Sequence, residues 1–481
     1  MMTYRIEDIE ARKYEGSLIL IYGDEVAERQ LPLSRAEIAV VKRRREKDSN
    51  FIERFDRLPY HLYVVSFDSE KPTSVSQEKL RRAAAKLLPM LEADDVTTVA
   101  VTGAGTLAEE VVAMLEGLTL ADYRFDRYRT KERWHLQGVV VDAMFLKTEE
   151  LEGLTRLWNR IFWCREWVNL PVQDLTAPQF ADELEAVAKD LKDVTCRVMD
   201  KRQIESMRMG GLLAVNRGSV DEPRFVVLEY KPRKAAKKAP ICLVGKGVMY
   251  DTGGLNIKPG DYMQEMKSDM AGAATMASVL FAAADNALPV HLVALLPLTD
   301  SRPGFNAYAS DDILTMYDGT TVEVRNTDAE GRLLLADAIA YAAKNYAPRV
   351  IIDAATLTGA AVRAISTFGI AVMQQRAEDT LAMLKAVGNE VYERLVEFPM
   401  WEEYDEYLKS DMADMVNSSN TPQAGTITAG KFLAHFAGDT PFVHLDIAGV
   451  AYFSKAQHCW AAGATGYGVR LLYGYMQMMS E

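Results

Sequence analysis

A chain of 481 residues, 49% apolar and 26% charged, has ordinary globular composition and is long enough for two or three domains. Its net charge of −13 argues against nucleic acid or an anionic membrane as the principal partner. The four cysteines, Cys164, Cys196, Cys242 and Cys459, sit too far apart for a CxxC motif. The charged Met1–Arg12 segment lacks the apolar core of a signal peptide, and no apolar run reaches the roughly 18 residues of a membrane span, so a reduced, cytoplasmic protein is expected.

The first third alternates short apolar strands with polar helices. Ser17–Tyr22 reads as a strand closed by Gly23-Asp24. Further strands are expected at His61–Phe67, Val96–Val101 and Gly138–Val141. Gln77–Leu88 has helical spacing, and Pro89 is expected to end or kink it. The basic run Lys42–Arg45 is flanked by acids and reads as a solvated helical face. Lys147–Asn169 predicts a long helix stopped by Pro171, with a domain boundary in or just after it. Thr176 is a plausible cap for the helix that follows. Lys231–Lys238 reads as an exposed loop between strands at Phe225–Tyr230 and Ile241–Val244.

From Ile241 the strands become continuous apolar runs: Ile241–Val244, Val290–Leu296, Val350–Ile352 and Phe442–Leu445. Ala-rich helices such as Ala271–Asp285 and Leu333–Lys344 separate them. Runs apolar on both faces predict a buried, mostly parallel sheet, and sites in such sheets collect at the carboxyl ends of strands. There the chain carries Gly245–Gly254, Lys267–Gly272, Asp353–Ala360 and Asp446–Gly449. Gly245-Lys246-Gly247 fits neither a P-loop nor a Rossmann turn, because the further glycines and the closing Lys-Ser/Thr are missing.

The densest chemistry lies in Asn326–Leu333, Asn-Thr-Asp-Ala-Glu-Gly-Arg-Leu, on a turn between a short β-branched run and a helix. With Asp251 and Asp269, the residues Asp328 and Glu330 make four carboxylates near strand ends or helix starts. Four acids in one pocket would repel prohibitively without cations, and two divalent ions about 3.5–4 Å apart would neutralise them. Oxygen ligands suit Mg or Mn, and Zn accepts them too. None of the six histidines has metal-ligand spacing.

These motifs resemble the signature of the leucyl aminopeptidase family, two-metal hexameric cytosolic aminopeptidases. Val244–Gly247, Asp251–Gly254, Ile257–Pro259, Ala354–Ala360, His444–Gly449 and Gly463–Gly466 match the family pattern in order and spacing, from about Trp167 to the C-terminus. The resemblance implies an α/β fold of three parts. These are a smaller N-terminal α/β domain (residues 1–150), a linking helix (151–170) and a larger catalytic domain (171–481) with a central, mostly parallel mixed sheet flanked by helices. It implies a metallo-exopeptidase removing leucine and other apolar residues from peptide N-termini. The alternatives are another two-metal hydrolase, or a member with an added scaffold or DNA-binding role.

By the same resemblance, Asp251 and Glu330 touch both metals (Mn or Zn, with Mg a further option). Asp328 completes the more exchangeable site, and Lys246 and Asp269 the tighter one. Lys258 polarises the peptide carbonyl, and Arg332 holds a bicarbonate acting as general base. Met266, Thr356 and Gly359 line the first side-chain pocket, and Leu357 makes a backbone contact to substrate. A homo-hexamer is implied. The chain departs from the family at Ser310-Asp311-Asp312, where Pro-Gly-Asp is usual, and at Tyr467-Gly468, where Arg-Pro is usual. Ser418–Pro422 is also atypical. None of these changes replaces an implied ligand.

Overall fold

The computed structural model describes residues 2–23, 31–68, 73–419 and 421–480. Asp24, expected to close the first strand, and Asn420 of the atypical loop lie outside the described residues. Backbone contacts divide the chain into two compact units; the main division falls within one long helix, between Asn159 and Arg160, and the short segments Glu390–Tyr392 and Phe453–Gly463 belong to the first unit.

The first unit holds strands β1 (Thr3–Glu7), β2 (Leu18–Tyr22), β3 (Phe51–Arg57), β4 (Tyr60–Ser66), β5 (Thr98–Ala104) and β6 (Gly138–Asp142), with helices α1 (Arg35–Arg45), α2 (Thr73–Ala93) and α3 (Ala108–Ala121). The strands form one sheet in the order β1-β6-β5-β2-β4-β3, parallel except where β3 meets β4. The basic run closes α1 as a largely exposed face, where Arg44 pairs with Glu53 at 2.6 Å.

Pro89 neither ends nor breaks α2, which continues to Ala93. An interior proline costs about 3 kcal/mol. Leu87, Leu88 and Leu91 are all buried around it, and each contributes roughly 1.5–3 kcal/mol on burial, so packing outweighs the local rule. α2 also lies so close to α3 that a β-carbon on Gly117 would sit 2.5 Å from the Arg81 carbonyl oxygen.

Helix α4 (Thr148–Asn169) spans the division between the units. The second unit continues with α5 (Ala177–Lys189), β7 (Val194–Met199), α6 (Lys201–Met207), α7 (Gly210–Asn216), β8 (Arg224–Tyr230), β9 (Ile241–Gly245), β10 (Gly247–Asp251) and α8 (Ala271–Asp285). Then come β11 (Leu292–Ser301), β12 (Ile313–Thr315), β13 (Thr321–Glu323), α9 (Gly331–Tyr346), β14 (Val350–Ala355), α10 (Gly359–Ile365), β15 (Ile370–Gln375) and α11 (Glu378–Glu390). Strands β16 (Leu395–Glu397) and β17 (Met415–Val416), helix α12 (Gly425–Ala437), strand β18 (Phe442–Asp446) and helix α13 (Val469–Met478) complete it. Thr176 caps α5 as its sequence predicts, its hydroxyl accepting from the Gln179 N–H. The expected loop Lys231–Lys238 contains one short helical turn, with Ala235 buried.

The main sheet runs β16-β15-β18-β14-β9-β11-β8-β7, with β10 beside β11. Its centre, β18-β14-β9-β11, is parallel, and every residue of those four strands is buried. A smaller sheet, β12-β13-β17, brings β13 parallel to β17. One core of this unit joins Val244, Leu333, Leu335, Ile351 and Phe432, so α9 and α12 pack on one face of the sheet.

Candidate metal centre

Four loops at the carboxyl ends of parallel strands converge. Lys246 follows β9, Asp251 ends β10, Thr356 follows β14, and Asn326–Glu330 leads from β13 into α9. Two of the loops are stapled together. Thr327 Oγ1 donates to the Gly253 carbonyl at 2.6 Å, and the Thr327 N–H donates to Asn256 Oδ1 at 2.8 Å. Tyr308, fully buried, donates its hydroxyl to the Thr327 carbonyl at 2.6 Å. Gly253 must be glycine, because its φ is +85° and a β-carbon would sit 2.5 Å from the Asn256 carbonyl oxygen.

The predicted acids meet. Oxygens of Asp251, Asp328 and Glu330 lie within 4.8 Å of one another. Lys246 Nζ is 2.7 Å from Asp269 Oδ1, 2.9 Å from Glu330 Oε1 and 3.0 Å from the Thr356 carbonyl. Lys258 Nζ is 2.7 Å from Asp251 Oδ2 and 2.6 Å from Asp328 Oδ1. Each ammonium therefore bridges two carboxylates.

Burial works against both lysine charges, yet the surrounding carboxylates outweigh it, holding Lys246 and Lys258 above the ordinary lysine range. Burial, together with repulsion from Glu330, pushes Asp269 and Asp328 upward, although the lysines pull the other way. Burial also lowers the Arg332 guanidinium to about 10, against the pull of Glu330 and Asp446. Arg332 donates from Nη1 to the Asn417 carbonyl at 2.9 Å.

Four carboxylates against two ammoniums leave the cluster short of positive charge. Asp269 Oδ2 and Glu330 Oε2 are buried without a hydrogen-bond partner among the described residues, and buried polar atoms are rarely left so. Their free lone pairs and the carboxylate-rich donor set fit divalent cations.

The remaining predicted residues border this cluster. Thr356 donates its hydroxyl to Asp269 Oδ1 at 2.8 Å. Leu357 donates its N–H to Asp446 Oδ1 at 3.2 Å, and Thr358 Oγ1 donates to Asp446 Oδ2 at 2.7 Å. Met266 opens the helical turn just before Asp269, and Gly359 is the exposed first residue of α10. The Met266 carbonyl accepts the Asp269 N–H at 3.3 Å, and Gly359 joins the cluster through its chain neighbours Thr356–Thr358. Sequence reasoning missed Tyr308, Asn417 and the supporting role of Asp446. Asp446 carried a signal, as a polar residue ending an apolar strand; the other two carried none.

The family pattern described as "Cytosol aminopeptidase family, catalytic domain" matches residues 162–473, and its N-terminal-domain counterpart matches residues 61–132. A probable cytosol aminopeptidase of Syntrophotalea carbinolica is 42% identical over 380 residues, 77% of this chain and 76% of that protein. One from Geobacter sulfurreducens is 37% identical over 414 residues, 84% of this chain and 82% of that protein. Among solved structures, the bottromycin maturation enzyme BotP in complex with Mn is similar with a TM-score of 0.82 and 29% identity, covering 96% of this chain and 99% of that one. A tomato leucine aminopeptidase mutant is similar with a TM-score of 0.87 and 25% identity, covering 99% and 97%.

Proposed function

The chain belongs to the cytosol aminopeptidase family, and we propose that Lys246, Asp251, Asp269, Asp328 and Glu330 hold two divalent ions in it, Mn or Zn. It is a metal-dependent aminopeptidase, a hydrolase that removes amino acids from the N-termini of peptides. The observation that carries the two-ion reading is the buried cluster of four carboxylates bridged by two ammoniums, with Asp269 Oδ2 and Glu330 Oε2 left without a hydrogen-bond partner among the described residues.

Asp251 and Glu330 would serve both ions, Asp328 would complete one site, and Lys246 with Asp269 would complete the other. Bound divalent ions supply Lewis-acid polarisation, a coordinated water of near-neutral pKa, and an acceptor for a free α-amino group. To act as a ligand Lys246 gives up its proton, which loosens its present bonds to Asp269 and Glu330. Lys258 stays charged, polarises the peptide carbonyl and stabilises the developing oxyanion. Arg332 holds a bicarbonate whose chemistry there is that of a general base. Met266, Thr356 and Gly359 line the pocket for the first side chain, and the methionine suits leucine and other apolar residues. Since the Leu357 N–H is taken by Asp446, its contact to substrate falls to the carbonyl.

The catalytic work is thus assigned to residues 171–481, after the N-terminal domain (1–150) and the linking helix (151–170), in a cytoplasmic homo-hexamer. No helix among the described residues is long and apolar enough to cross a membrane. The test is metal depletion. Chelator-stripped protein should lose activity on leucyl p-nitroanilide and regain it with Mn or Zn at two ions per chain. Undiminished activity in stripped protein, or saturation at one ion, would contradict the two-ion reading.

A further inference from the structure

We propose that Asn417 is a positioning residue that holds the Asn326–Arg332 turn in its metal-binding shape. The inference rests on the reading of Asp328, Glu330 and Arg332 just given.

Asn417 follows β17 directly, and the parallel pairing of β17 with β13 carries it alongside the start of the acidic turn. It is fully buried. Its N–H donates to the Glu323 carbonyl at 2.9 Å, continuing the ladder one step past the strands. Its side chain then turns into the loop. Oδ1 accepts from the Arg325 N–H at 2.8 Å and from the Asn326 N–H at 3.3 Å. Nδ2 donates to the Asn326 carbonyl at 2.8 Å and to the Ala329 carbonyl at 3.4 Å. Both lone pairs and both hydrogens of the amide are thereby used. The contacts bracket Asp328, and the last precedes Glu330 by one residue.

Two further bonds extend this clamp to reactive groups. The Asp328 N–H donates to Asn326 Oδ1 at 2.9 Å, so the residue that Asn417 grips also orients Asp328. The Asn417 carbonyl accepts from Arg332 Nη1 at 2.9 Å, and that guanidinium has Nε buried without a hydrogen-bond partner among the described residues. One residue thus ties the turn bearing two carboxylates to the arginine that follows it. Aspartate would lack the donors, leucine would lack both functions, and glutamine would overreach by a methylene.

The test uses the whole chain and its Asn417→Ala and Asn417→Asp variants, with three readouts. Thermal unfolding of metal-free protein reports the fold. Equilibrium dialysis against Mn reports metal affinity. Steady-state rates on leucyl p-nitroanilide at saturating Mn report chemistry. Partners of this kind typically change metal affinity by about ten- to a hundredfold. Asn417→Ala should therefore bind Mn at least tenfold more weakly, and kcat at saturating metal should fall at least tenfold while KM stays within about threefold.

Asn417→Asp separates geometry from charge. An added carboxylate would tighten Mn binding if field alone mattered, whereas loss of the clamp weakens it. A lowered unfolding midpoint with wild-type Mn affinity and kcat would make Asn417 merely structural and overturn the proposal. If Asn417→Ala does not fold, Asn417→Asp decides, and Mn binding as tight as wild type or tighter overturns it. A wild-type chain that binds neither Mn nor Zn would instead overturn the metal-site reading, so the two failures are distinguishable.

Discussion

A β-carbon on Gly331 would lie 2.4 Å from Cε of Lys246. The first residue of α9 therefore sets the space through which the lysine reaches Asp269 and Glu330. Gly331→Ala should displace Lys246, at a cost of about 1–3 kcal/mol in stability, and should lower activity by at least a hundredfold. Thermal unfolding and metal content measured on one preparation check this. Normal metal retention in that variant would contradict it.

Asp328→Ala and Glu330→Ala should abolish activity and leave the chain folded, because each removes a proposed ligand while relieving like-charge repulsion in the metal-free site. Circular dichroism and turnover on leucyl p-nitroanilide are the measurements. Retained turnover in both would mean that the site is misassigned.

If Lys258 has its proposed role, Lys258→Ala should lower kcat by about a hundredfold or more, the usual effect of losing one oxyanion-stabilising group. Metal should remain bound, since Lys258 bridges Asp251 and Asp328 as a cation rather than as a ligand. Loss of metal from the variant, read by elemental analysis, would contradict that role.

Arg332→Met removes the guanidinium while keeping much of its apolar stem. Bicarbonate depletion should slow the wild-type enzyme several-fold and leave the variant, already slowed, unchanged. A variant still sensitive to bicarbonate would place the anion elsewhere.

Asp122 is buried in the first unit, and its carboxylate accepts the Leu136 N–H at 3.2 Å. Burial, opposed by that bond, raises it from 3.8 to about 7. With the folded value above the unfolded one, its contribution to stability is complete below pH 3.8 and is lost as pH rises through about 7, at most about 4 kcal/mol. Asp122→Asn keeps an acceptor for Leu136 and cannot ionise. Its thermal midpoint should gain on wild type between pH 4 and 7 and hold that lead above. A difference independent of pH would contradict the raised value.

What the sequence revealed depended on the range of the signal. Strands β9, β11, β14 and β18 were legible because burial on both faces writes a continuous apolar run. The acids were legible because Asp328, Glu330 and Arg332 stand within one turn. Asn417 was not, since its partner Asn326 lies 91 residues away and asparagine is an ordinary loop residue. Strand β13 was legible as the β-branched run before the acidic turn, whereas the two-residue β17 is too brief to show a period. The helix end expected at Pro89 is absent for the opposite reason. A strong local rule was overruled by leucines that pack only once the fold exists.

The most direct measurement is the ratio of hydrolysis rates, on protein reconstituted with Mn or Zn, for leucyl p-nitroanilide and its N-acetylated form. A site whose metals engage the free amino group predicts cleavage of the first and none of the second. Equal rates on the two substrates would contradict it.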